Sequence, residues 1–209
     1  MSSSDPEPLT PVKARLLPPA RNTVVIERSQ LLDRLERAAN LQLILLQAPA
    51  GFGKTSLLEL WRRRRTQNGA RVAWLTLDES DAQAATLLDD IGDALRSVGL
   101  RWIDPQKNDL PLRLRAMLDA IAAAEQPVAL LLDEFEHAGM AAAAIEPLLR
   151  RAPSNLQVAI ASRSRPAMRT AALRARGLVL ALTADDLRLR SEEVARAFEC
   201  KLSRKQPLQ

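Results

Sequence analysis

Residues 48–56 read A-P-A-G-F-G-K-T-S, between the apolar run 41–47 and a helix-like segment that continues through Leu57, Leu58, Leu60 and Trp61. Strand, glycine loop and helix in that order are the context a phosphate-binding loop requires. Successive backbone N–H groups make a concave anion site, aided by the positive end of the following helix. The expected lining is Ala48, Pro49, Ala50, Gly51, Phe52, Gly53, Lys54, Thr55 and Ser56. Gly51 and Gly53 let phosphate approach the backbone closely. Lys54 supplies a cation to the β and γ phosphates of a bound nucleotide, and Thr55 offers a hydroxyl to Mg²⁺. Ala48 stands where the first glycine of such loops is usual, a departure softened by alanine's small size. The plain alternative is a surface turn with an exposed lysine, which the strand before and the helix after speak against.

A nucleotide hydrolase also needs a carboxylate for the metal and a group that positions water. Leu130-Leu131-Leu132-Asp133-Glu134 places both at the end of one apolar strand. Asp133 is expected to bind Mg²⁺ through its water shell and Glu134 to orient or polarise the attacking water. A helix cap would use the same residue types. Arg163 follows Ser162 at the end of another apolar strand. In a parallel α/β sheet the strand C-termini border the ligand crevice. Arg163 is therefore expected to sense the γ-phosphate, the alternative being a loop arginine paired with a surface acid. Arg165 is a weaker second candidate. Asp78 ends a strand and reads as a cap before it reads as a site residue. His137, the one histidine, suits solvent or a packed helix start better than chemistry. Trp61 and Trp74 sit in apolar stretches and are expected in the core.

The elements that must position these groups alternate. Short apolar strands are expected at 41–47, 71–77, 127–133, 156–162 and 178–182, with a strand-like piece at 23–26. Helical spacing marks 31–37, the segment after the loop to about 67, 83–98, 111–125 and 140–151. Ser191-Glu192-Glu193 looks like a further helix start. The apolar strands are continuous, as in a parallel sheet covered on both faces. The fold class is α/β: a P-loop three-layer fold with a mainly parallel five-stranded sheet between helices. Three segments are expected: an extended or disordered Ser- and Pro-rich stretch at 1–20, the nucleotide-binding domain at 21–185, and the start of a following helical region with a polar tail at 186–209.

The 209 residues are 47% apolar but only 3% aromatic, so the core must come from Leu, Ala, Val and Ile. A net charge of +5 permits nucleic-acid contact without arguing for it. All but five of the 30 basic residues are arginine. The dense run 62–65 falls at a helix end, where positive charge suits the dipole. The single cysteine, Cys200, excludes an intrachain disulfide. No apolar run approaches the ~18 residues of a membrane span, and the N-terminus lacks the zones of a signal peptide. These features lead us to expect a cytoplasmic protein without membrane contact.

Several segments together resemble one family. They are 12–18 with 25–32, A-P-A-G-F-G-K-T at 48–55, V-A-W-L-T-L-D-E-S-D at 72–81, L-L-L-D-E-F-E-H at 130–137, A-S-R-S-R-P at 161–166, and L-R-A-R-G at 173–177 with D-L-R-L-R-S-E-E-V at 186–194. The set is similar to the nucleotide-binding domain of the MalT-type, large LuxR-family transcription activators, which are signal-transducing (STAND-class) P-loop NTPases. The resemblance implies an ATP/ADP switch in which inducer and ATP favour a self-associating active form and hydrolysis restores the resting form. It implies that Arg28 helps hold the nucleotide near its base. It assigns Lys54 and Thr55 to phosphate and Mg²⁺, Asp133 and Glu134 to metal and water, and Arg163 to the γ-phosphate. Glu134 stands where many relatives have a second aspartate. Such activators continue into a winged helix, an inducer-sensing helical repeat and a helix-turn-helix. Inducer, promoter DNA and RNA polymerase are then expected to engage parts outside this chain. Two other readings compete with the weakly hydrolysing switch. One is a self-standing P-loop ATPase or small-molecule kinase, which would need a phosphate-facing lid and an acceptor site. The other is a module that holds nucleotide only for stability.

Overall fold

The computed structural model describes residues 14–19, 28–103, 109–189 and 193. The expected strand at 23–26, most of the segment 1–20, the helix start at Ser191 and Glu192 and the tail lie outside the described residues. In chain order the elements are α1 (Ser29–Arg37), β1 (Leu43–Gln47), α2 (Lys54–Gln67), β2 (Arg71–Thr76), a 3-10 turn (Glu79–Ala82), α3 (Ala84–Ser97), α4 (Leu110–Ala122), β3 (Val128–Asp133), a 3-10 stretch (Phe135–Ile145), α5 (Glu146–Arg150), β4 (Leu156–Ser162), α6 (Ala171–Ala175), β5 (Val179–Leu182) and α7 (Ala184–Leu187).

The five strands form one parallel sheet in the order β2-β3-β4-β1-β5. Both faces are covered, and the alternation along each strand shows it. Leu43 and Leu45 enter one core, Ile44 and Leu46 the other. Val128, Leu130 and Leu132 face the first core, Ala129 and Leu131 the second. This is why the strand sequences run nearly continuously apolar instead of alternating with polar residues. Trp61 and Trp74 are fully buried in the second core.

One expected helix is replaced. The spacing at 140–151 predicts a single helix. Instead Phe135–Ile145 winds as 3-10 turns, broken at Gly139 (φ 49°, ψ −125°), and α5 begins afresh at Glu146. Gly139 takes a backbone conformation that side-chain-bearing residues avoid. Pro147 lacks the N–H, and its ring blocks a helix running through from the preceding turn. The arginine run is taken up within the domain. Arg62 and Arg63 both hold Glu59 (2.6 and 2.7 Å), Arg64 reaches Asp33 (3.2 Å), and the Arg65 guanidinium lies 5.7 Å from the Trp61 ring centroid.

Asp78 caps the 3-10 turn at Glu79–Ala82, accepting from the Ser80 N–H at 2.9 Å. It also helps tie down the segment 14–19. Arg15 pairs with Asp78 (3.1 Å), Asp90 (3.0 Å) and the fully buried Asp81, and donates to the Thr76 carbonyl (2.9 Å). Burial pushes the Asp81 carboxyl up to about 6; the Asp90 carboxylate adds to the rise, while the Asp78 N–H and Arg15 oppose it. A carboxyl raised above its unfolded value of ~3.9 binds its proton more tightly in the folded state. Its contribution favours the fold at low pH and is lost as pH rises through about 6. Thermal melts across this range should show a flatter pH profile for Asp81→Asn than for the wild type. Identical profiles would mean that Asp81 does not drive the dependence.

Candidate functional site

The sheet order decides which strand ends meet. β4 lies between β1 and β3, all three run the same way, and the register pairs Gln47 with Ser162. The loop leaving β1, the acids ending β3 and the arginine leaving β4 therefore emerge side by side. A cavity of about 340 Å³ at this edge is lined by Ala50, Gly51, Gly53, Lys54, Thr55, Ser56, Asp133, Glu134, Glu136 and Arg163. Arg165 and Asp78 are not among the lining residues.

The loop is shaped by two glycines in the left-handed region, Gly51 (φ 84°) and Gly53 (φ 78°). Gly53 is the residue before α2, so Lys54 opens the helix and its first amides face the cavity. Ala48 keeps a negative φ and is buried in the second core. Nothing at that position demands glycine, which explains how the alanine is accommodated. The Lys54 ammonium donates to the Ala48 and Pro49 carbonyls at 2.7 and 3.0 Å. Burial lowers its pKa below the ordinary lysine value; Arg163 adds to that, and Glu136, Asp133 and Glu134 counter it.

Asp133 is 2% exposed at the end of β3. Glu134 follows at φ 54°, the one non-glycine with positive φ among the described residues. Such a backbone costs of order 1–3 kcal/mol and persists where the surroundings over-determine it, often at functional sites. The turn has a second effect. Two residues along a regular helix would face away from Glu134, yet the left-handed turn brings Glu136 back to the same cavity. Glu136 accepts the Arg163 backbone N–H at 2.9 Å, and its carboxylate lies 2.8 Å from Arg163 Nε; Glu134 is 3.7 Å from the same guanidinium. Sequence reasoning missed Glu136. Its only signal was the spacing E-F-E after the aspartate, which reveals nothing until the left-handed turn is known.

Thr55 and Asp133 contribute a hydroxyl and a carboxylate to the one cavity. Mg²⁺ uses such oxygen donors, with one or two carboxylates completed by phosphate oxygens and water. No group of three or more His, Cys, Asp or Glu side chains placed to hold a metal occurs among the described residues. The donor set thus fits a metal shared with a phosphate ligand rather than a protein-only cage.

On the other side of Gly51, Gly53 and Ser56 a second cavity, also about 340 Å³, is lined by Phe52, Leu57, Leu60, Leu187 and Leu189 together with Arg28 and Arg188. Arg28 is only 6% exposed, and its guanidinium is engaged. It donates to the Leu187 and Arg188 carbonyls (both 2.8 Å) and to the Glu193 carboxylate (3.3 Å to each oxygen). The apolar lining from 187–189 was not foreseen, because it depends on the chain folding back from β5 across α2.

Residues 26–161 match the family model of the AAA ATPase domain. The chain belongs to that family. Among curated proteins it is 31% identical, over 203 residues and 92% of this chain, to the HTH-type transcriptional regulator MalT of Yersinia pestis (strain Pestoides F), and 28% identical, over 208 residues and 95% of this chain, to that of Cronobacter sakazakii. The chain spans 22% of the length of each of these relatives. It is a P-loop nucleotide-binding domain of the MalT type. The fold is shared with solved structures. The Aeropyrum pernix ORC1 protein in complex with DNA superposes with TM-score 0.57 at 15% identity, over 87% of this chain and 50% of that one. Cdc6p from Pyrobaculum aerophilum does so at 0.51 and 14%, over 81% and 48%. No helix among the described residues is long and apolar enough to cross a membrane.

Proposed function

We propose that this chain is an ATP-binding, slowly hydrolysing switch domain of a signal-responsive transcription regulator. One observation carries the reading: Lys54, Thr55, Asp133, Glu134 and Arg163, drawn from three strand ends, line a single cavity. In this scheme the loop amides and Lys54 hold the phosphates, and Thr55 and Asp133 hold Mg²⁺. The metal would neutralise charge on the β and γ oxygens. Glu134 accepts a hydrogen bond from the attacking water, and Arg163 engages the terminal phosphate. The apolar cavity beside Phe52 takes the base. Self-association in the ATP form belongs to the same proposal. So does a division of labour in which inducer, promoter DNA and RNA polymerase engage portions that the relatives carry in the other 78% of their length.

Arg28 serves the base side indirectly. Its hydrogen bonds fix 187–188, and so Leu187 and Leu189, as a wall of the apolar cavity. Arg28→Ala is expected to weaken ATP about tenfold, roughly 1.4 kcal/mol, and to leave tripolyphosphate binding unchanged. Equal weakening of both ligands would remove the base assignment.

The reading is tested by incubating the chain with Mg²⁺ and ATP, with and without small-molecule acceptors, and following the γ-phosphate. Slow release to water is expected. Rapid transfer to an acceptor would replace the switch with a kinase.

A further inference from the structure

We infer that Glu136 is a positioning residue that parks Arg163 and thereby sets how strongly the site prefers a nucleoside triphosphate over a diphosphate. The inference rests on the nucleotide reading above and assigns a role to a residue that reading does not use. Glu136 grips Arg163 at two points, the backbone N–H (2.9 Å) and the side-chain Nε (2.8 Å). The two contacts differ in what can move. The backbone bond fixes the carboxylate at the end of β4. The Arg163 side chain is 53% exposed and can swing, whereas the Glu136 side chain is 17% exposed and held.

A γ-phosphate would compete with Glu136 for this guanidinium, since phosphate and carboxylate suit the same planar fork of donors. When Arg163 swings away, Glu136 keeps the backbone N–H, so the carboxylate is not stranded. A diphosphate has no terminal group at that position, and Arg163 returns to Glu136. The carboxylate therefore opposes the triphosphate specifically. It also opposes any anion generally, because Asp133, Glu134 and Glu136 face the cavity against Lys54 and Arg163. The ratio of ATP to ADP affinity separates the specific effect from the general one.

Glutamine at 136 keeps the shape and the acceptor for the Arg163 N–H but gives up the charge. Both affinities should rise in Glu136→Gln, and the ATP/ADP ratio should grow about fivefold, the upper end of what an exposed ion pair carries. Arg163→Ala should lower the ratio toward one, and adding Glu136→Gln to it should leave the ratio unmoved. Calorimetric titration of ATP and ADP into the four proteins, with melting temperatures to confirm folding, reads this directly. A ratio unchanged by Glu136→Gln while wild type binds both nucleotides would overturn the role of Glu136 alone. A wild type that binds neither nucleotide would overturn the nucleotide reading and this inference with it.

Discussion

Glu134→Gln is expected to leave ATP bound and to slow phosphate release by about 10²–10⁴-fold, the range for losing a positioned general base. Glutamine retains the length of the side chain and one oxygen but cannot accept a proton from water. The position tolerates the change. Glu134 makes no side-chain cap to the stretch that follows it, and its contact with Arg163 is the longer of the two, 3.7 Å against 2.8 Å for Glu136. Arg163 therefore keeps its main partner, and ATP affinity should hold or improve as one negative charge leaves the cavity. Single-turnover phosphate release alongside equilibrium ATP binding checks both halves. Release at the wild-type rate would show that Glu134 only neutralises Arg163.

The second large effect is on binding. Lys54→Ala should weaken ATP about 100-fold, roughly 3 kcal/mol, in the range for deleting one partner of a buried charged pair. Lys54 is only 8% exposed as a residue, so comparatively little water has to leave it when phosphate arrives. Alanine is a good helix former at the start of α2, and the fold should survive. Two carbonyls, Ala48 and Pro49, lose a donor beside an open cavity. The melting temperature should fall by a few degrees at most (~1 kcal/mol). Because burial lowers the Lys54 pKa, the affinity of wild type should decline with rising pH before an ordinary lysine would lose its proton. Unchanged nucleotide affinity in Lys54→Ala would sink the site assignment.

The sheet and much of the site were legible because each rests on local chemistry. Strands buried on both faces must be apolar throughout, and 43–47, 128–133 and 156–162 are nearly so. A loop carrying Gly51, Gly53 and Lys54 between strand and helix has one common purpose. That Asp133 and Arg163 would face the same cavity followed from parallel strands ending at one edge. What was hidden depends on geometry that residue types do not encode. The left-handed turn at Glu134 cannot be read from a glutamate, so Glu136 stayed out of view. The break at Gly139 was masked by the alanines around it, which favour a helix. The chain from β5 back across α2 creates the apolar wall at Leu187 and Leu189 and brings the carbonyls that Arg28 donates to. D-L-R-L-R alone cannot say what those leucines cover. Asp78 reads first as a cap and is one; its pairing with Arg15 is long-range and carries no sequence signature.

The central claim is that residues 48–56 bind the phosphates of a nucleotide. An equilibrium titration of the wild-type chain with ATP and Mg²⁺, repeated with tripolyphosphate and with adenosine as competitors, tests it most directly. Saturable one-to-one ATP binding, displaced by tripolyphosphate more effectively than by adenosine, is the result predicted. A folded chain that shows no saturable ATP binding, or loses ATP to adenosine but not to tripolyphosphate, would contradict it.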